Sequence, residues 1–329
     1  ALFTYHENGE LKGLVGTHVD DILHTGNDSF EKNVIQKLKK IYSFGTEEEE
    51  IFRYVGMNVK RLNDGISVDQ DHYIEALQVP DLKKVNMKDI SETLDEQGQS
   101  SYRSAVGKIG WLCAHSRPDL SFDYIDLSSK FGKATVKDMK SVSKLTQKLK
   151  ADTTAMLVPN LGSVSDWEIH GYGDVGLQTM PDGISSCGGQ VVILQNKISN
   201  KACVISWRSR KLRRVVNSTL AGEALATTDL IGEIQYVKAV LADILGDSVH
   251  NIPVIIYTDS KNLFKAATST ALVDDRRLRT ELAMIKEALS RGEIQPIIWI
   301  PGTKMLANCL TKRGASSEAL LKVLRTGYS

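Results

Sequence analysis

The stretch GGQVVILQNKISNKACVISWRSRK, Gly188 to Lys211, sets two apolar runs on either side of the short polar connection Ile198-Ser199-Asn200. Val, Ile and Trp at this density, bounded by Gly and Asn, read as strands, and so short a connection returns the chain antiparallel to itself. Upstream, WEIHGYGDVG (Trp167–Gly176) has the same texture, which makes a meander of three consecutive strands. Downstream, Leu220, Ala224, Ile231, Ile234, Leu241 and Leu245 fall on one face of a long helix. PVIIYTD then reads as a strand buried on both faces, because it is short and continuously apolar. A helix from about Arg276 to Ser290, a fifth strand in IQPIIWIPG and a closing helix in SSEALLKVLRTG complete the order. Three strands, helix, strand, helices, strand and helix predict an α/β unit: a mixed five-stranded sheet flanked by helices.

Towards the N-terminus the pattern is α+β. GLVGTHVDDILHTGND (Gly13–Asp28) reads as a hairpin that presents Asp20 and Asp21 at its tip, with Leu14-Val15 leading in and Ile22-Leu23 leading out. A helix comes next, with apolar Phe30, Val34, Leu38 and Ile41 behind a capping Asn27 or Asp28. FRYVGMNVKRLNDGISVDQ reads as two strands about Asn63-Asp64-Gly65. Asp81 to Gln99 is polar and weakly periodic, as a linker would be. Tyr102 to about Lys150 is helical in pattern, interrupted at SRPDLSF, where Pro118 suits a helix start. Gly162 to Asp166 marks a second boundary, so the expected units are 1–95, a helical connection over 96–162, and 163–329.

The chain has 329 residues, 42% of them hydrophobic, which allows two or three domains with their own cores. A formal net charge of +1 excludes a generally basic protein, so any nucleic-acid contact must come from a local patch. One exists: Lys197 to Arg214 carries seven Lys or Arg and no acid, with Arg208, Arg210, Lys211, Arg213 and Arg214 at its end. These five would grip phosphates; a solvated strand edge protected by charge is the plainer alternative. Trp111, Trp167, Trp207 and Trp299 read as core or half-buried residues rather than stacking platforms. Cys113, Cys187, Cys203 and Cys309 show no C-x-x-C pair, so neither a zinc site nor a disulfide framework is expected. No apolar run reaches membrane-span length, and the start ALFTYHENGE has neither a basic leader nor an initiator Met, as if cut from something longer.

Two sets of acids carry the chemistry. Adjacent carboxylates among apolar residues are costly unless hydrated or neutralised by a cation, and Asp20-Asp21 would suit Mg2+, which takes hard oxygen ligands. In the C-terminal unit Asp174 and Asp259 end apolar strands, and Glu223 lies in the first turns of the long helix. Taken singly, each has a plain alternative as a helix cap or a solvated acid. Together they sit on elements that neighbour one another in such a sheet, so they should converge.

The order and wording of Asp174, Glu223 and Asp259, with the closing ANCLTKRGASSEALLKVLRTG, resemble the ribonuclease H domain of copia-type retrotransposon polyproteins. HVDDIL resembles the second metal-binding motif of that family's reverse transcriptase palm. FRYVGMNVKR, GISVDQDHYIEAL and YRSAVGKIGWLCAHSRPDLSFD resemble the palm-distal segments of the same polyproteins. The resemblance covers nearly the whole chain. It implies a truncated reverse transcriptase palm and thumb, a helical connection, and a ribonuclease H-like domain. It further implies two-metal hydrolysis of the RNA strand of RNA–DNA hybrids with Mg2+, or Mn2+, as the sole cofactor, Asp174 bridging two ions and Glu223 and Asp259 each holding one. Partners would be the hybrid and the remainder of the Pol polyprotein, with no membrane; the location would be cytoplasmic, in a virus-like particle, with nuclear access as a further option. Two departures stand out. The palm's upstream aspartate is not in this stretch, so polymerisation by it alone is not expected. Where the family's closing motif has an aspartate this chain has Asn308, whose amide offers an oxygen without the charge, so the second ion should be held less well. A catalytically impaired, nucleic-acid-binding relic is therefore the alternative to an active endonuclease.

Overall fold

The computed structural model describes residues 1–80, 89–246, 249, 252–270 and 273–329. Strands β1 (Leu2–Glu7), β2 (Glu10–His18) and β3 (Asp21–Gly26) form an antiparallel sheet whose β2–β3 turn carries Asp20. Asn27 caps the first helix, its side chain accepting the Phe30 N–H at 3.0 Å. The expected helix is α1 (Asp28–Phe30), a π-helical turn (Glu31–Ile35) and α2 (Gln36–Ile41). The wider π turn rotates the apolar face: Phe30 and Ile35 are buried with Val15, while Ile41 stands exposed rather than on the stripe.

The segment expected as two strands is three: β4 (Ile51–Tyr54), β5 (Met57–Leu62) and β6 (Gly65–Asp69). Val55 and Gly56 adopt φ of +49° and +71°, two consecutive left-handed residues of the kind that reverse a hairpin in two positions. After α3 (Asp71–Ala76), part of the expected linker, 81–88, lies outside the described residues. The rest is not linker: Leu94 is buried, Asp95 accepts the Gly98 N–H at 2.7 Å as a cap, and α4 starts at Glu96.

Helices α4 (Glu96–His115), α5 (Ser121–Ser128) and α6 (Val136–Ala151) share a core with Ile74, Leu77 and Leu94. A 3-10 turn, Pro118–Leu120, breaks the helical run where the proline predicted it. Beside it Arg117 is wholly buried, and its guanidinium donates to both oxygens of Asp119 at 2.9 Å and to the Asp152 carbonyl at 2.8 Å. A buried charge persists only when paired and hydrogen-bonded, and this one is. Strand β7 (Met156–Pro159) then pairs with β6, so the helices are an excursion from a four-stranded sheet, β4-β5-β6-β7.

The C-terminal sheet has the order β10-β9-β8-β11-β12. Its meander is β8 (Trp167–Gly176), β9 (Cys187–Asn196) and β10 (Ala202–Lys211); β11 (Val254–Thr258) runs parallel to β8, and β12 (Ile298–Trp299) parallel to β11. One face carries α7 (Thr219–Leu245), with α8 (Lys261–Thr268) and α9 (Arg276–Ser290) in the same core. α7 lies close on β8 because Gly171 has no side chain; a Cβ there would come within 2.6 Å of Ile234. The other face is covered by residues 305–310 and α10 (Glu318–Thr326). The mixed five-stranded, helix-flanked sheet is therefore the expected one, although the fifth strand is only two residues long.

Candidate metal centre

Asp174 lies two residues before the end of β8, where it pairs with Gly189, and it is 3% exposed. Glu223, also 3% exposed, stands one turn into α7, whose start is fixed by Ser218 accepting the Ala221 N–H at 3.2 Å. The helix can approach there because Gly222 packs on Val175, the neighbour of Asp174. Asp259 comes directly after β11, half-buried, its carbonyl accepting the Trp299 indole N–H at 2.9 Å. From these three elements, one ligand oxygen each of Asp174, Glu223 and Asp259 come to lie within 4.8 Å of one another.

The electrostatics are set by the crowding. Burial, then repulsion from Asp174 and Asp259, pushes the Glu223 carboxyl well above the usual carboxylate range. Burial and then Asp174 push Asp259 up as well. Lys312, exposed at the rim, partly offsets both. Glu223 Oε2 and Asn308 Oδ1 are both buried and have no hydrogen-bond partner among the described residues. Such oxygens are expensive unless something positive or hydrogen-donating meets them. Three hard-oxygen ligands, two of them on nearly inaccessible acids, with one orphaned carboxylate oxygen, suit a divalent ion.

Residue 308 belongs to a 3-10 turn, Asn308–Leu310, that packs onto the strand ends. The Thr311 hydroxyl lies 2.6 Å from Asp174 Oδ2 and 2.9 Å from the Asn308 carbonyl. Thr311 in turn accepts from the Thr179 hydroxyl at 2.8 Å through its carbonyl, and Ser209 holds Leu310 in the same way at 2.7 Å. The residue pattern alone does not single out Thr311 and Lys312, although both sit inside the closing motif. Nothing in their residue types announces contact with the acids; only their spacing from Asn308 could have.

The remaining candidates lie apart. Asp20 and Asp21 are both exposed at the hairpin tip, so the burial cost that drew attention to them does not arise. Among the described residues, no third His, Cys, Asp or Glu joins them in a metal-sized group. The basic patch borders α7, but much of its charge is already neutralised: Arg210 pairs with Asp229, Lys211 with Asp182 at 2.7 Å, and Arg214 with Glu281. Arg208 and Arg213 form no ion pair among the described residues. Of the tryptophans, Trp167 and Trp207 are half-buried, while Trp111 and Trp299 are 37% and 38% exposed.

No protein-family model matches the chain. Its curated homologues are retrovirus-related Pol polyproteins of copia-type transposons. Those from transposons RE1 and RE2 of Arabidopsis thaliana are each 24% identical over 311 residues, covering 90% of this chain. The chain spans about a fifth of the length of these relatives, 20% in each case. Among solved structures it is similar to LC11-RNase H1 isolated from compost, at 19% identity and a TM-score of 0.34 over 46% of this chain and 98% of that one. The same enzyme in complex with an RNA/DNA hybrid gives 17% identity and a TM-score of 0.33 over 46% and 99%. No described helix is long and apolar enough to cross a membrane.

Proposed function

We propose that the chain carries the ribonuclease H portion of a retrotransposon Pol polyprotein together with reverse transcriptase palm and connection segments, and that it cleaves the RNA strand of RNA–DNA hybrids. The observation that carries this reading is the convergence of ligand oxygens of Asp174, Glu223 and Asp259 within 4.8 Å, with Glu223 Oε2 unpartnered among the described residues. These three residues would hold Mg2+ or Mn2+, with Asn308 adding a neutral oxygen. A divalent ion there supplies the charge and the activated water that phosphodiester hydrolysis needs. Thr311 holds the Asp174 carboxylate in place by donating to Oδ2, which leaves its other oxygen for a ligand role. Arg208 and Arg213 would take strand phosphates. At the hairpin tip, Asp20 and Asp21 would need a further donor from outside the described residues to hold an ion.

The test is Mg2+-dependent release of RNA fragments from a labelled hybrid, with Asp174→Asn as the blank. Cleavage by the parent and none by the variant is expected; equal cleavage by both would exclude the site. Binding can be read separately, because each lost phosphate contact lowers the slope of log K against log salt by about one unit. Arg208→Ala/Arg213→Ala should therefore flatten the slope, and Lys211→Ala, whose charge already serves Asp182, should do so less. Asn308 favours a second reading, the relic that binds hybrid and does not cut. A parent that binds hybrid but takes up no divalent ion would select it.

A further inference from the structure

The segment that closes the acid pocket, 308–313, is held from two sides. On the sheet side Thr311 is fully buried, with its hydroxyl on Asp174 and its carbonyl on Thr179. On the other side Arg313 reaches out of the C-terminal unit and donates to Asp126 Oδ2, on α5 of the helical unit. Asp126 is 6% exposed, and the same oxygen also accepts from Lys130 at 3.2 Å, whose ammonium lies 3.0 Å from Asp138.

This contact sits within a built interface. Phe122 and Ile125 of α5 pack with Cys187 and Met180, and the Trp207 indole N–H donates to the Cys113 carbonyl at 2.7 Å. Cys187 lies 3.5 Å from the Leu310 carbonyl, so the packed α5 surface touches the strand end on which the segment rests.

We infer that Asp126 is a positioning residue for the metal centre: through Arg313 it fixes the segment that carries Asn308 and Thr311, so the helical unit completes a site whose acids all lie elsewhere. The inference rests on the nuclease reading. Its physical basis is that a ligand's orientation is set by what holds the ligand, and loss of such a partner costs metal affinity without removing a ligand. Without the Arg313 anchor, the chain beyond Thr311 loses its ion pair to the helical unit, while residues 308–310 keep their packing against α5 and Pro118–Leu120. The Thr311 hydroxyl then holds Asp174 less firmly.

The experiment uses the full chain with Asp126→Asn, Asp126→Glu and Arg313→Gln, the last at a mostly exposed side chain that the fold should tolerate. Mn2+ affinity of the protein alone is measured by calorimetry, hybrid affinity in Ca2+, and cleavage rate against Mg2+ concentration. Asp126→Asn and Arg313→Gln should each weaken Mn2+ binding roughly tenfold. They should move the Mg2+ dependence of cleavage to higher concentration and leave hybrid affinity in Ca2+ within twofold, as expected of residues that touch no strand. Asp126→Glu, which keeps the charge, should restore most of the loss. If melting temperature falls while Mn2+ affinity holds in Arg313→Gln, the contact is purely structural and the inference is overturned. If the parent itself binds no Mn2+, the nuclease reading fails first and takes this one with it; a parent that binds and variants that bind equally well defeat only the positioning role.

Discussion

Asp20 and Asp21 are neighbours in sequence and stand in solvent at the end of a hairpin; Asp174, Glu223 and Asp259 are far apart in sequence and meet in a pocket where two of them are nearly inaccessible. The difference lies in how charge is stabilised. At the tip, water hydrates each carboxylate and nothing else is required. In the pocket, the ends of β8 and β11 and the first turns of α7 are pressed together by a shared apolar core, and the acids travel with them. Adjacency in sequence therefore says little about a site, whereas convergence of buried acids does.

The sharpest way to break this contrast is metal-dependent melting. Ligand that binds only the folded state raises stability by RT ln(1 + [L]/Kd), about 2.7 kcal/mol at a hundredfold excess over Kd. The parent and Asp20→Asn/Asp21→Asn should show the same rise in melting temperature with Mg2+ or Mn2+, and Asp174→Asn should show none. A rise lost in the hairpin variant and kept in Asp174→Asn would reverse the assignment of the two sites.

Next in size is Asn308→Asp. The Asn308 side-chain oxygen is buried and has no hydrogen-bond partner among the described residues, and the residue's carbonyl shares the Thr311 hydroxyl with Asp174, so a carboxylate at 308 adds one more like charge beside the acids. In the absence of divalent ions the variant should melt below the parent. With them it should bind metal more tightly and, since about 1.4 kcal/mol is tenfold in rate, cleave hybrid roughly ten- to a thousandfold faster. No gain over an already fast parent would mean that position 308 contributes no ligand.

A smaller effect sets the two regions apart by pH. Burial, and then repulsion from Asp174, raise the Glu223 and Asp259 carboxyls in the folded chain, with Asp259 adding to the rise at Glu223. With divalent ions chelated, the folded state keeps these protons at pH values where the unfolded chain has released them. Stability thus falls as pH rises from the ordinary carboxylate range through the raised folded values. Calorimetry in a chelator across that range should show the decline, and Glu223→Gln should flatten it; a rise with pH in the parent would contradict the crowding.

How far the sequence foretold this depends on whether the signal was local. α9 spans the Arg276–Ser290 stretch expected to be helical, and the meander follows from strand texture and a short connection. The acids were visible because carboxylates at the ends of apolar runs are costly. The features that stayed hidden were non-local or disguised. The β6–β7 pairing joins residues on either side of three helices, and no periodicity records a partner that distant. The Val55-Gly56 reversal was masked because a β-branched residue seldom takes positive φ. Thr311 reads as an ordinary threonine until the fold sets it on Asp174.

The smallest effect is expected where the sequence looked most suspicious. Asp20 and Asp21 are exposed, and among the described residues no third His, Cys, Asp or Glu joins them in a metal-sized group. Substitutions at such surface positions usually change stability by no more than about 0.5 kcal/mol. Asp20→Asn/Asp21→Asn should accordingly melt within a few degrees of the parent in chelator and cleave hybrid at the parent's rate. One feature of the turn could upset this: Val19 adopts a φ of +54° next to Asp20, a conformation unusual for a β-branched residue and 92% exposed to solvent. Val19→Gly removes that strain, so it serves as the control that separates backbone from charge. If Val19→Gly stabilises the chain and the double asparagine variant leaves it unchanged, the acids at the tip carry neither stability nor nuclease activity. A loss of cleavage in the asparagine variant alone would instead join the hairpin to the pocket, and the contrast between the two sets of acids would no longer hold.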